Sequence, residues 1–279
     1  MKRVDFLGVP GSGKTTVFGV LPDARHAASD FLLSTEAYAK AIAHMLPPGV
    51  RVLGRLRTML SKSTMFQPLQ VRLSKSVDRA VSIRRSRLET EGLVEEIVSI
   101  WSNNPELLTL RLAGLGKQTM VSQVITPTEY LDFFYKTALR MKQLRFMEAQ
   151  LSPEARVVFD KSITQAVFSC VDFSQPVEAA IIDRYVGGIP APAAVISFQA
   201  SPDVIVQRIR QRAAEGWVSA LHRGIVDTST LSIWAERACE VAQHAAVSLT
   251  RRRINVIEVD AGPPPAQIAS KICAALRSA

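Results

Sequence analysis

Residues Gly8-Val9-Pro10-Gly11-Ser12-Gly13-Lys14-Thr15 satisfy every fixed position of the pattern G-x-x-x-x-G-K-[ST]. Each residue type answers a need of phosphate chemistry. Glycines let a backbone curl so that several N–H groups point at one anion, an arrangement that side chains would obstruct. Lys14 can reach the β- and γ-phosphates of a bound nucleotide as a point charge, and the Thr15 hydroxyl is a ligand for Mg²⁺. A helix opening at this point adds roughly half a positive charge beneath the anion. Pro10, Ser12 and Thr16 complete the candidate nucleotide-binding set Gly8, Pro10, Gly11, Ser12, Gly13, Lys14, Thr15 and Thr16.

A second candidate is Asp160, which ends the apolar run Arg156-Val157-Val158-Phe159 and is followed by Lys161-Ser162. A carboxylate there can act as general base on an acceptor hydroxyl, or hold Mg²⁺ with Thr15. No Asn-Lys-x-Asp tetrapeptide for reading guanine occurs, and no Asp-Glu pair ends this strand. A basic residue after the strand carboxylate suits phosphoryl transfer better than hydrolysis, because positive charge meets the transferring group. Arg208 and Arg212, four apart, share a helix face from which to close over phosphates, whereas Arg210 points elsewhere.

The elements that must hold these residues are legible in outline. Arg3 to Leu7 reads as a buried strand leading into the glycine loop, and Thr15 to Val20 opens a helix. Strands are expected at 156–160, 193–198 and 255–259, and helices at 202–212, 230–252 and 266–276. Between them, residues 28–151 read as mostly helical, with a start at Ser34-Thr35-Glu36 and a capping box over Thr126-Pro127-Thr128-Glu129. Short apolar strands alternating with helices imply a parallel sheet covered on both faces. The 279 residues form one domain on this reading, with 28–151 an acceptor-side helical insertion and 203–229 a candidate lid.

Together these features resemble the P-loop nucleotide kinases, thymidylate kinase-like proteins in particular. The likeness rests on the Gly8–Thr15 loop, on Val157-Val158-Phe159-Asp160-Lys161-Ser162, on Ala194–Pro202 running into Arg208–Arg212, and on Val256–Ala261 before a terminal helix. It implies a five-stranded parallel sheet flanked by helices, a mobile arginine-bearing lid, and ATP with Mg²⁺ as cofactors. It also implies a base-proximal role for Asp260 and catalytic roles for Lys14, Asp160, Arg208 and Arg212. Lys161 departs from the family's arginine, and no acidic-Pro pair follows the first helix. The reaction class therefore carries over and the acceptor does not.

Charge points towards the acceptor. Of 34 basic and 25 acidic residues, ten basic residues and one acid lie in 51–87, leaving 24 against 24 elsewhere. The excess of +9 is thus local, and favours one anionic partner surface over a generally cationic protein. A solvated helical face, an anionic substrate and nucleic acid compete for this stretch. Nucleic acid ranks last, since Phe66 is its one aromatic.

Glu36, Arg140, Arg145, Trp217 and Arg223 are lesser candidates for the acceptor cleft or lid, while Asp183-Arg184-Tyr185 reads as a decoy. The four histidines show no metal spacing, and the cysteines at 170, 239 and 273 show no zinc or redox spacing. With no apolar run long enough to span a bilayer, the expectation is a cytoplasmic Mg-ATP-dependent kinase of a small anionic acceptor. The rival is a nucleotide-dependent switch that orders 51–87 for a macromolecule. The insertion serves as a substrate cover or as a homodimer interface.

Overall fold

The computed structural model describes residues 1–24, 31–45, 78–79, 82–91, 95, 98–99, 102, 127–216 and 228–278. Its centre is β1 (Lys2–Gly8), whose last six residues are all buried. A strand buried on both faces has no solvated side, so its buried residues are apolar apart from Arg3 and Asp5, which pair with each other. β2 (Leu32–Leu33), β3 (Arg156–Phe159), β4 (Ala194–Gln199) and β5 (Asn255–Asp260) complete a five-stranded, wholly parallel sheet in the order β2-β3-β1-β4-β5. β1 pairs Lys2–Asp5 with Arg156–Phe159 on one side and Val4–Gly8 with Ala194–Phe198 on the other. β2 escapes sequence reading because two residues carry no periodicity.

Parallel neighbours need crossovers, and helices supply them. They are α1 (Lys14–Ala24), α2 (Ser34–His44), α3 (Pro127–Gln150), a 3₁₀ helix (Thr164–Cys170), α4 (Ala179–Gly188), α5 (Pro202–Ala214), α6 (Thr228–Arg251) and α7 (Pro265–Ser278). α3 begins at Pro127, as expected of a proline in a first turn. Ser201 caps α5 by accepting from the Val204 N–H at 3.4 Å, with Pro202 next in line. The 3₁₀ helix and α4 are additions to the expected elements. In the insertion, residues 82–90 are helical as well, but Arg51, Arg55, Arg57, Lys62, Arg72 and Lys75 lie outside the described residues. In the candidate lid, α5 is anchored by buried Ile205, Val206 and Ile209, while Trp217 and Arg223 lie outside the described residues.

The two faces of the sheet are covered by different helices. Val4, Phe6, Val158, Ile196 and Phe198 pack against α1 and α7, with the Phe6 and Phe198 ring centroids 4.9 Å apart. Leu7 and Val195 meet the 3₁₀ helix, α4, α5 and α6, and Val157 meets α2 and α3. Each such side chain contributes about 1.5–3 kcal/mol by leaving water. The chain thus leaves β1 towards one face and β3 towards the other. Adjacent strands whose connections diverge open a crevice at their carboxyl ends, the usual place for a ligand in such sheets. Among the described residues no helix is long and apolar enough to cross a membrane.

One polar pair lies inside this core. Arg3 and Asp5, 4% and 0% exposed, stand 3.2 Å apart on the α3 side of β1. Thr164 Oγ1 donates to Asp5 Oδ2 at 2.6 Å, and the Arg3 guanidinium donates to the Pro190 carbonyl. Burial pushes the Asp5 carboxyl above its ordinary range, against the pull of Arg3 and of the Thr164 and Ser162 hydroxyls. Removing one partner of a buried pair strands the other charge. Asp5→Ala should therefore lower the unfolding free energy by about 3 kcal/mol, read from urea midpoints, and an unchanged midpoint would show that the pair is not structural.

Candidate functional site

The glycine-rich loop begins where β1 runs out. Gly8, Gly11 and Gly13 have φ of 155°, 98° and 92°, conformations that side-chain-bearing residues rarely adopt. At Gly8 a β-carbon would also stand 2.9 Å from Phe198 Cβ and 3.1 Å from its carbonyl oxygen, so β4 leaves room for glycine alone. The turn closes with Ser12 N–H donating to the Val9 carbonyl at 3.0 Å, and α1 starts at Lys14. Thr15 and Thr16 are exposed in its first turn. The cradle shape, the helix start and the absence of acids from that turn all fit a phosphate group.

Lys14 is buried within the loop. Its ammonium donates to the Gly8 carbonyl at 2.6 Å and the Val9 carbonyl at 2.9 Å, and reaches Ser12 Oγ at 3.3 Å. Burial brings its pKa down to about 7; Asp160 opposes the drop and Arg212 adds to it. Lys14, Asp160 and Arg212 are therefore electrostatic neighbours, although far apart in sequence. Asp160 is half-buried at the carboxyl end of β3, beside the exposed Lys161.

Arg208 reaches the loop from α5. Its Nη1 donates to the Ser12 carbonyl at 3.0 Å and its Nη2 to the Ala261 carbonyl at 2.8 Å, stapling the phosphate loop to the turn after β5. Arg212, one turn further along α5, is exposed. Asp260 is exposed at the end of β5, where its Oδ1 accepts from the Gly262 N–H at 2.8 Å. Gln165 is a site residue the sequence reading missed. Its amide donates to the Gly8 carbonyl at 2.8 Å and accepts from the Gly8 N–H at 3.2 Å. No local pattern marks it, because a neutral amide 157 positions from its partner has no spacing to read.

Beside the loop lies a cavity of about 220 Å³ between β1, β3, α2, α3 and the 82–90 helix. Its walls include Arg3, Arg85, Arg140 and Lys161, one carboxylate, Asp160, and an apolar side of Met141, Leu144 and Met147. Arg85 Nε donates to Glu89 Oε1 at 2.8 Å and its guanidinium lies 5.7 Å from the centre of the Tyr38 ring. Gln143 Nε2 donates to the same Glu89 oxygen at 3.1 Å, holding the 82–90 helix to α3. Burial, with Glu89 adding to it, pushes the Tyr38 phenol up to about 12. Arg140 thus joins the cleft, while Arg145 is exposed.

The remaining candidates have other tasks. Glu36 Oε2 accepts from the Leu33 N–H at 2.9 Å and so caps α2. Asp183 pairs outward with Arg251 at 3.5 Å, and the buried Tyr185 hydroxyl donates to the Ile163 carbonyl, which accords with reading that triplet as a decoy. Trp234 is buried against Phe173. Among the described residues, no group of three His, Cys, Asp or Glu could hold a metal on its own. Thr15 and Asp160 are compatible with Mg²⁺, which is commonly bound by one or two protein oxygens together with substrate phosphates.

Two outcomes follow from this geometry. A polyphosphate seated on the loop requires Lys14 as ammonium, whereas the free protein loses that proton near pH 7. Nucleoside triphosphate binding should then take up a proton, and affinity should fall as pH rises from about 7 towards the ordinary lysine range. Calorimetry in buffers of different ionisation enthalpy measures this, and proton release would contradict it. Gln165→Ala removes two hydrogen bonds, each worth about 0.5–1.5 kcal/mol. It should weaken nucleotide binding roughly ten-fold while leaving the fold, by circular dichroism, intact.

No protein-family model matches this chain, and no curated protein sequence matches it either.

Proposed function

We propose that the protein is a Mg-ATP-dependent phosphotransferase acting on a small anionic acceptor. The observation that carries this reading is the position of Asp160, on the wall of the cationic cavity and within electrostatic reach of Lys14 in the phosphate loop. One carboxylate would thus serve both a nucleotide site and a second, adjoining site, as transfer between two bound molecules requires.

The strand order β2-β3-β1-β4-β5 supports a nucleoside monophosphate kinase-like P-loop fold, since it differs from both common doubly wound orders. In this reading the loop amides, Lys14 and the α1 N-terminus hold the triphosphate. Thr15, with Asp160 reaching the ion only through water, would hold Mg²⁺, and the ion would supply positive charge to the phosphates. Arg208 and Gln165 fix the loop's shape, and Arg212 brings positive charge towards the transferring group. Asp160 takes the acceptor's hydroxyl proton as that oxygen bonds to the γ-phosphorus, the bond to the β–γ bridging oxygen breaks, and ADP leaves. The described cysteines are all free thiols, which suits a reducing cytoplasmic setting.

The test is ADP formation from Mg-ATP against nucleosides, nucleoside monophosphates, sugar phosphates and neutral sugars. One anionic acceptor should give turnover, and Lys14→Ala and Asp160→Asn should each lower kcat at least 100-fold. Slow ADP release that no acceptor stimulates would instead identify a nucleotide-dependent switch.

A further inference from the structure

We propose that the cavity beside the glycine-rich loop takes a hydroxylated anion smaller than a nucleotide: a phosphomonoester or carboxylate of monosaccharide size, its charge held by Arg85 and Arg140. This rests on the phosphotransferase reading and narrows its acceptor.

Size is the first argument. Among the described residues the space, open on one side, measures about 220 Å³, below the roughly 300–1,000 Å³ usual for sites of cofactors and drug-sized ligands. Aromatic surface is the second. A nucleobase is commonly held by stacking, yet the only described aromatic rings on the cavity wall are Tyr38 and Phe159. Tyr38 already has the Phe146 ring edge-on at 5.8 Å and the Arg85 guanidinium at 5.7 Å.

Charge is the third argument. Among the described residues four cations and one carboxylate line the space, while Asp5 and Glu89 pair with Arg3 and Arg85. Arg3 is 4% exposed and paired with Asp5 Oδ1 at 3.2 Å, so it adds charge to the cavity floor, whereas the guanidinium groups of Arg85 and Arg140 on the wall match the planar oxygens of a phosphate or carboxylate. With the anion so placed, a hydroxyl elsewhere on the same molecule meets Asp160, gives up its proton there and receives the γ-phosphoryl group of ATP, leaving ADP.

Calorimetry on the full chain tests this, with and without Mg²⁺ and a non-hydrolysable ATP analogue. The probes are ribose 5-phosphate, gluconate, ribose and thymidine 5′-monophosphate; the first two separate the phosphate from the carboxylate source. Ribose 5-phosphate or gluconate should bind at least ten-fold more tightly than ribose and thymidine monophosphate. Arg140→Gln and Arg85→Gln should each weaken that probe at least five-fold while the ATP analogue binds as before. Arg85 is exposed enough that its replacement leaves the core untouched. Tighter binding of thymidine monophosphate, equal binding of ribose, no binding of any probe, or insensitivity to both substitutions would overturn the proposal. Failure of the ATP analogue alone, with arginine-dependent anion binding retained, would remove the kinase reading and keep the anion site.

Discussion

Gly8 is the residue on which this architecture turns, because β1 must end against β4 with no space for a side chain. Its backbone lies so close to Phe198 that an added β-carbon would collide with both side chain and carbonyl. That contact fixes where the strand stops and the phosphate loop begins. Everything downstream depends on this height: the turn at Ser12, the first turn of α1, and the carbonyls that surround the Lys14 ammonium. A loop set at another level would present its amides away from the crevice formed where β1 and β3 diverge.

The loop is then held from two sides by residues distant in sequence. Gln165 grips the Gly8 peptide by both its N–H and its carbonyl, and Arg208 ties Ser12 to Ala261. Preorganised backbone dipoles stabilise developing charge because they need not reorient during reaction. The 160–165 connector also links the two halves of the candidate site. Asp160 and Ile163 line the cavity, Thr164 is tied to Asp5 on the sheet, and Gln165 holds the loop.

Electrostatics within the site follow from burial as much as from pairing. Lys14 is depressed mainly by desolvation, so an anion seated on the loop would restore its charge. Arg3 lines the cavity, and Asp5, fully buried two residues on along the same face of β1, pairs with it. A charged pair inside an otherwise apolar sheet costs desolvation. Its position on a cavity wall gives the cost a use that packing alone would not.

By itself the sequence determined the glycine-rich loop, since glycine spacing, Lys14 and Thr15 are consecutive and need no tertiary contact to be read. It also determined the α/β class and four of the five strands, because continuous apolar runs bounded by Pro and Gly have few other solutions. Asp160 stood out as a carboxylate ending such a run. Tertiary structure alone decided β2, too short for any period, and the roles of Arg3, Gln165 and Arg208, whose partners lie 187, 157 and 196 positions away. It likewise moved Glu36 from the acceptor side to a helix cap and gathered Arg85 and Arg140 around one cavity. Local spacing encodes what a segment can do, but only the crossing of strands and helices sets which distant groups share a volume small enough for chemistry.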